Sequence, residues 1–392
     1  MNPYNTTRMN EVKNYFDNGD IHLGYRRLLD AAIETQNSTV YEATLEFCYW
    51  YDTVTDHSAG VDLSAHVNAL LEKIAQAPVP ENTNTAPVLT AVDISKKYSS
   101  GSFSLSKLDI SLQRSQIIGL VGENGNGKTT LLRLLFGELQ PDTGSIQYNL
   151  QHVPERASFY DIKTRLAFIP QRPNAWYGSL MDNLQFTSAH YGMKGKENFL
   201  WTEMIAARMG LRPFRTYTWS KISSGYKMRF ELAKTLLRRP EILLLDEPLA
   251  NLDVLAQQII LEDLKYMAQS VSMPLSIILS SQQLYEVEKV SEQVIFLQKG
   301  VARFQHTKTE TNDTTESVPL VIELETTASR DALQQLFGKD NLQKLSFNGG
   351  VYILYFEGSI TAAEVTRKLG EAGLSVKYFR DISSSSRRFF DA

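Results

Sequence analysis

Gly122-Glu123-Asn124-Gly125-Asn126-Gly127-Lys128-Thr129-Thr130 follows the apolar run Ile117-Ile118-Gly119-Leu120-Val121 and leads into Leu131-Leu132-Arg133-Leu134-Leu135-Phe136. The order is strand, glycine-rich loop, helix. The loop fits G-x-x-x-x-G-K-[ST], in which glycines let backbone N–H groups close around phosphate oxygens, Lys128 reaches the β- and γ-phosphates, and the Thr129 hydroxyl ligates Mg²⁺. An ordinary glycine-rich turn needs neither flank. The stretch therefore predicts an α/β core built around a phosphate-binding loop.

The rest of the composition bounds what surrounds that core. With 392 residues, 43% of them hydrophobic, the chain has material for several packed cores and about two to three domains. The longest apolar runs, such as Ile242 to Leu245, fall far short of the ~20 residues of a membrane span. Met1-Asn2-Pro3-Tyr4-Asn5 has neither the basic nor the apolar region of a signal peptide. A soluble, cytoplasmic protein is expected. Its single cysteine, Cys48, sits in Phe47-Cys48-Tyr49-Trp50, where packing is the expected role, and it allows no internal disulfide. A net charge of −4 gives no nucleic-acid footprint, so no nucleic-acid partner is expected.

Residues 1–76 carry apolar positions at helical spacing: Ile21, Tyr25, Leu28, Leu29 and Ala32, then Leu63, Val67, Leu70, Leu71 and Ile74. Three or four helices form an all-helical N-terminal module, with helix starts at Asn18-Gly19-Asp20 and Asp62, and the aromatic stretch Tyr41 to Tyr51 is a core helix or a docking face, core being the expected role. Residues 77–87 combine three prolines with small polar residues and read as a linker that sets the helices apart. Residues 88–305 contain the phosphate loop, the run Phe168-Ile169-Pro170-Gln171-Arg172-Pro173, and Glu241-Ile242-Leu243-Leu244-Leu245-Asp246-Glu247-Pro248. The last is a continuous apolar strand, as parallel strands covered on both faces are, ending in two acids. Those acids fit a division of labour, with Asp246 towards Mg²⁺ and Glu247 towards an attacking water. Residues 306–317 form a second, threonine- and charge-rich linker. Residues 318–392 then read β-α-β-β-α-β, a small α+β domain of ferredoxin-like type.

One further stretch, Ile222-Ser223-Ser224-Gly225-Tyr226, opens a helical pattern and on its own is an N-cap. Together with the phosphate loop, Gln171 and Asp246, in this order and spacing, it resembles the signature of the ATP-binding cassette (ABC) ATPases, which favours Leu-Ser-Gly-Gly-Gln. The resemblance implies a P-loop NTPase cassette with a helical signature subdomain, taking ATP and Mg²⁺. Tyr98 would stack on adenine, and Gly122, Glu123, Asn124, Gly125, Asn126, Gly127, Lys128, Thr129 and Thr130 would enclose the phosphates. Thr129, Gln171 and Asp246 would serve the metal. Ser223, Ser224 and Gly225 would reach the nucleotide of a second cassette, met at Asn251-Leu252-Asp253. Catalysis would fall to Lys128, Glu247 and Gln282.

Three departures stand out: Ser224 for a glycine, Tyr226 for a glutamine, and Gln282 where the family has a switch histidine. The last implies slow hydrolysis. The function implied is the ATP-binding subunit of an exporter-like ABC transporter, a dimer, most simply of identical chains, working at the cytoplasmic face of the membrane against separate polytopic permease subunits. The alternative is a soluble, non-transport ABC protein using ATP as a switch for a protein or ribosome partner.

Overall fold

The computed structural model describes residues 3–54, 60–79, 86–98, 103–151, 153–154, 157–307, 320–338, 341–348, 350–356 and 360–383. Residues 80–85 of the first expected linker and 308–317 of the second lie outside that set.

Four helices come first: α1 (Pro3–Asp17), α2 (Ile21–Glu34), α3 (Ser38–Thr53) and α4 (Gly60–Gln76). Gly19, at φ 78°, turns the chain, and Asp20 caps α2 by accepting from the Leu23 N–H at 3.1 Å. Asn37 caps α3 in the same way, accepting from the N–H groups of Thr39 and Val40. Asp62 does not start α4. The helix begins two residues earlier, and Asp62 lies in its first turn, where its charge complements the helix dipole. In α3 the aromatic stretch turns Tyr41, Phe47 and Cys48 inward, and Tyr41 stacks on Trp201 with centroids 6.0 Å apart.

The middle of the chain runs β1 (Leu89–Lys97), β2 (Ser104–Leu112), β3 (Ile117–Val121), α5 (Lys128–Leu135), β4 (Thr143–Tyr148), α6 (Phe159–Thr164) and β5 (Leu166–Ile169). It continues through α7 (Leu180–His190), α8 (Gly195–Arg208), α9 (Ser224–Leu237), β6 (Ile242–Leu245), α10 (Val254–Ala268), β7 (Ser276–Ser281), α11 (Leu284–Glu288), β8 (Gln293–Gln298) and β9 (Val301–Thr307). Strands β2-β1-β4 form an antiparallel sheet. The main sheet has the order β5-β6-β7-β3-β8-β9 and is parallel except for β9. Along β6, Leu243 and Leu245 enter one hydrophobic core and Ile242 and Leu244 the other, so the strand is covered on both faces. Because β3, β6 and β7 are parallel neighbours, the segments leaving their carboxyl ends converge: the phosphate loop, Asp246-Glu247 and Gln282.

The N-terminal helices do not stand apart from this body, as their proline-rich linker suggested. They share one hydrophobic core with it, in which Leu28, Leu29 and Leu71 pack in a continuous cluster with Trp201, Met204 and Leu264. Charges seal the contact. Arg208 at the end of α8, 1% exposed, donates to Asp30 of α2 at 2.7 Å and to Asp263 of α10 at 2.6 Å. Arg26 adds a bond to Asp263 at 3.1 Å, and Arg212 pairs with Asp52 of α3 at 2.6 Å. The linker's composition marked a boundary in the chain; the buried faces of α8 and α10 decide where the helices sit.

The last unit comprises β10 (Val321–Thr326), α12 (Arg330–Phe337), β11 (Leu342–Asn348), β12 (Val351–Phe356), α13 (Ala362–Glu371) and β13 (Val376–Asp381). Its antiparallel sheet has the order β11-β12-β10-β13. Leu333 and Phe337 of α12 and Val365 and Leu369 of α13 join Ile322, Leu324, Leu354 and Phe356 in a separate core.

Breaking a buried ion pair from one side strands the other charges, a cost of about 3–5 kcal/mol. Arg208→Met is therefore expected to lower unfolding stability in urea by roughly that amount, and an unchanged midpoint would contradict the clamp. Burial alone would raise the Asp30 pKa, but Arg208 and then Arg27 outweigh it and hold the carboxyl below its ordinary range. The stability Asp30 contributes is thus present above the ordinary carboxylate pKa and lost as pH falls through the lowered one. Asp30→Asn should flatten that acid limb of the stability curve.

Candidate active site

The five residues of β3 are fully buried, and Gly122 leaves the strand where a side chain has no room: a Cβ there would lie 2.4 Å from the Leu297 carbonyl oxygen. Gly125 and Gly127 take φ of 80° and 100°, the left-handed region that glycine enters without strain. These turns lay the loop over the start of α5. Asn126 points its Oδ1 away from the loop's mouth and accepts from the Lys299 N–H at 2.9 Å, tethering the loop to the β8–β9 turn. Glu123, Asn124 and Gly125 remain exposed at the loop's rim.

Lys128, 4% exposed, folds back over its own loop and donates to the carbonyl oxygens of Gly122 at 2.7 Å and Glu123 at 3.2 Å. Its ammonium also pairs with Glu247 Oε1 at 3.1 Å. The other carboxylate oxygen of Glu247, Oε2, accepts from Gln171 at 3.0 Å and from Gln282 at 2.8 Å. One buried carboxylate thus gathers the loop lysine and two amides from two further segments. Glu247 itself has φ of 48°, unusual for a residue with a side chain and strained by about 1 kcal/mol.

Beside it, Thr129 donates to Asp246 Oδ2 at 2.7 Å and Ser280 donates to Asp246 Oδ1 at 2.8 Å. No group of three or more His, Cys, Asp or Glu among the described residues is arranged to hold a metal ion. A carboxylate and a hydroxyl side by side nevertheless fit Mg²⁺, a hard ion that proteins commonly take with few ligands of their own and substrate phosphates for the rest. Gln171 reaches Glu247 rather than Asp246 or Thr129.

The remaining expected residues lie elsewhere. Tyr98 is 40% exposed, its hydroxyl 3.4 Å from Thr130 Oγ1. Ser223 caps α9, Ser224 donates to the Asn251 carbonyl at 3.0 Å, and Gly225 lies against Ala256, so the signature contacts the turn before α10 and not the phosphate loop. Asp253 caps α10, accepting from the Ala256 N–H at 2.8 Å. Ser223, Ser224 and Asp253 are exposed together. Tyr226 packs on Phe214 with centroids 4.2 Å apart. Ser280 escaped the sequence reading, although two polar residues, Ser280-Ser281, ending an apolar run were a visible signal.

The sequence family described as ABC transporter matches residues 105–250, which include the phosphate loop, the signature and both acids. Those residues form an ATP-binding cassette of the ABC transporter type, and through them the chain is an ATP-binding subunit of an ABC transporter and an ABC ATPase. The cassette is 28% identical over 233 residues to the Nod factor export ATP-binding protein I of Ralstonia nicotianae, covering 57% of this chain and 68% of that one. It is 26% identical over 195 residues to the ABC transporter ATP-binding protein NatA of Bacillus subtilis, covering 49% and 77%. Against the spermidine/putrescine import ATP-binding protein PotA of Mesoplasma florum the figures are 29% over 219 residues, 54% and 59%. The fold is shared with cbiO1 from Clostridium perfringens, part of the ABC transporter complex cbiONQ, at a TM-score of 0.50 and 24% identity over 58% of this chain and 90% of that one. No helix among the described residues is long and apolar enough to cross a membrane.

Gly127 tests the cassette's loop directly. A Cβ there would meet Phe103 Cζ at 2.6 Å in addition to the left-handed strain. Gly127→Ala is expected to weaken binding of a fluorescent ATP analogue on the order of ~10-fold, the equivalent of 1–2 kcal/mol of loop distortion. Wild-type affinity in that variant would mean the loop geometry does not govern binding.

Proposed function

We propose that this chain powers an exporter-type ABC transporter as one of two identical cassettes, bound at the cytoplasmic face to separate polytopic membrane subunits. The observation that carries the chemistry is the Glu247 carboxylate, paired with Lys128 through one oxygen and with Gln171 and Gln282 through the other. Before ATP arrives, Lys128 neutralises the base. The γ-phosphate competes for the same ammonium, and once Lys128 turns to phosphate, Glu247 Oε1 is free to accept a proton from water aligned for attack. Gln171 and Gln282 keep hold of Oε2 and so fix the direction in which Oε1 points. Thr129 and Asp246 would hold Mg²⁺, which supplies charge neutralisation on the phosphate oxygens. Tyr98, exposed beside the loop, would stack on adenine.

The exposure of Ser223, Ser224 and Asp253 on one surface supports their facing a second copy, whose nucleotide they would contact. Export as the direction draws support from the Nod factor export relative, while the import relative shows that the cassette alone suits either. In this reading residues 88–305 are the cassette with its helical signature subdomain, 1–76 a helical module, 77–87 and 306–317 linkers, and 318–392 a ferredoxin-like domain; the β-α-β-β-α-β order of the last supports that assignment.

Gln282 decides the rate. A histidine there carries a proton as charge develops on the phosphate, whereas an amide donates without charging, and a donor aimed at developing charge is worth ~10²–10³ in rate. Steady-state phosphate release is expected to be slow in wild type, abolished in Glu247→Gln, raised in Gln282→His and lowered in Gln282→Ala. Wild-type turnover in Glu247→Gln would remove Glu247 as the base. A Gln282→Ala rate equal to wild type would leave the switch position without a role.

A further inference from the structure

Ser280 is fully buried at the end of β7, and neither the sequence motifs nor the chemistry above gives it a task. The parallel register pairs Leu245 of β6 with Leu279 of β7, which brings the next residues, Asp246 and Ser280, side by side. On its other flank Ser280 pairs with Leu120 of β3, the strand that feeds the phosphate loop. A buried serine at this crossing needs an acceptor for its hydroxyl proton and a donor for its oxygen, and it finds one of each in the two acids. Its Oγ donates to Asp246 Oδ1 at 2.8 Å and accepts from the backbone N–H of Glu247 at 2.9 Å.

We propose that Ser280 is a positioning residue for ATP hydrolysis, fixing the plane of the Asp246 carboxylate and the backbone turn that aims Glu247, both through one hydroxyl. The inference rests on the roles assigned above to Asp246 and Glu247. With Thr129 on Oδ2 and Ser280 on Oδ1, each oxygen of Asp246 has its own hydroxyl donor, so the carboxylate cannot rotate without losing one. The Glu247 N–H bond works on the second acid. Glu247 is in the left-handed region and precedes Pro248, a combination the backbone does not adopt unaided. Two bonds hold it: the Glu247 N–H to Ser280, and the Ala250 N–H to the Glu247 carbonyl at 3.1 Å. That turn sends the side chain back across the site to Lys128, Gln171 and Gln282. Alanine at 280 would leave a buried carboxylate oxygen short of a donor and a buried N–H without its acceptor, whereas threonine keeps the hydroxyl.

The test uses the full chain as wild type, Ser280→Ala, Ser280→Thr and Glu247→Gln. Phosphate release gives kcat and KM for ATP, and the spin-resonance signal of free Mn²⁺ gives the affinity of the ATP-loaded protein for that ion. Ser280→Ala is expected to lower kcat on the order of ~10-fold, to leave KM for ATP within about twofold, and to weaken Mn²⁺ binding on the order of ~10-fold, as loss of a ligand's supporting hydrogen bond does. Ser280→Thr is expected to recover both. Wild-type kcat and Mn²⁺ affinity in Ser280→Ala would overturn the inference. So would an Ala variant that loses ATP binding and thermal stability together while the Thr variant recovers neither, the pattern of a purely structural serine. If Glu247→Gln is inactive and Ser280→Ala behaves as wild type, the positioning role alone fails. If Glu247→Gln turns over normally, the underlying reading of the site fails and takes this role with it.

Discussion

A single carboxylate, Glu247, holds this site in its resting arrangement. Its position follows from a parallel sheet that delivers β3, β6 and β7 to the same edge, so that a lysine, an acid and an amide from three loops meet. Buried opposite charges of this kind contribute little net stability, since desolvation offsets most of their attraction. Their consequence is chemical. In the mechanism we propose, Lys128 has a protein carboxylate to neutralise it until phosphate arrives, and the same contact keeps Glu247 from acting on water.

Around that centre the fold restricts movement. Arg208 ties α8, in the helical layer that also contains α9 and the signature, to α10 behind the main sheet, and Asp30 of the N-terminal helices completes the knot. The signature at the start of α9 and the acids at the end of β6 therefore sit in a frame that residues from the first 34 positions help to set. At the other end, Arg380 of β13 lies 4.7 Å above the Tyr285 ring, in the helix that begins just past Gln282. Both appendages touch elements that lead into the site.

Much of the site was legible in the sequence because it is encoded locally. The loop's glycines, Lys128 and Thr129 all fall within Gly122 to Thr129, and Ile242 to Asp246 announces a buried strand ending in an acid. What stayed hidden are contacts between segments distant in the chain. Nothing near Lys128 says that its ammonium rests on Glu247, and nothing near Gln171 says that its amide reaches that carboxylate rather than Asp246. Ser280 was not singled out because its partners, Asp246 and the Glu247 N–H, follow the neighbouring strand. The N-terminal helices were read correctly as helices, with Asp20 as a cap, but their linker carries no information about docking. That is written in the buried faces of α8 and α10, where Trp201 and Arg208 look like any helix residues until α2 and α3 cover them.

The affinity of the Glu247→Gln chain for ATP, measured by titration calorimetry with EDTA present so that nothing is hydrolysed, tests the competition for Lys128 most directly. If Glu247 holds Lys128 until phosphate claims it, removing the carboxylate's charge frees the ammonium, and ATP should bind more tightly by about 1 kcal/mol, roughly fivefold. Equal or weaker binding by Glu247→Gln, with Lys128→Ala still impaired, would show that the ion pair does not stand between the site and its nucleotide.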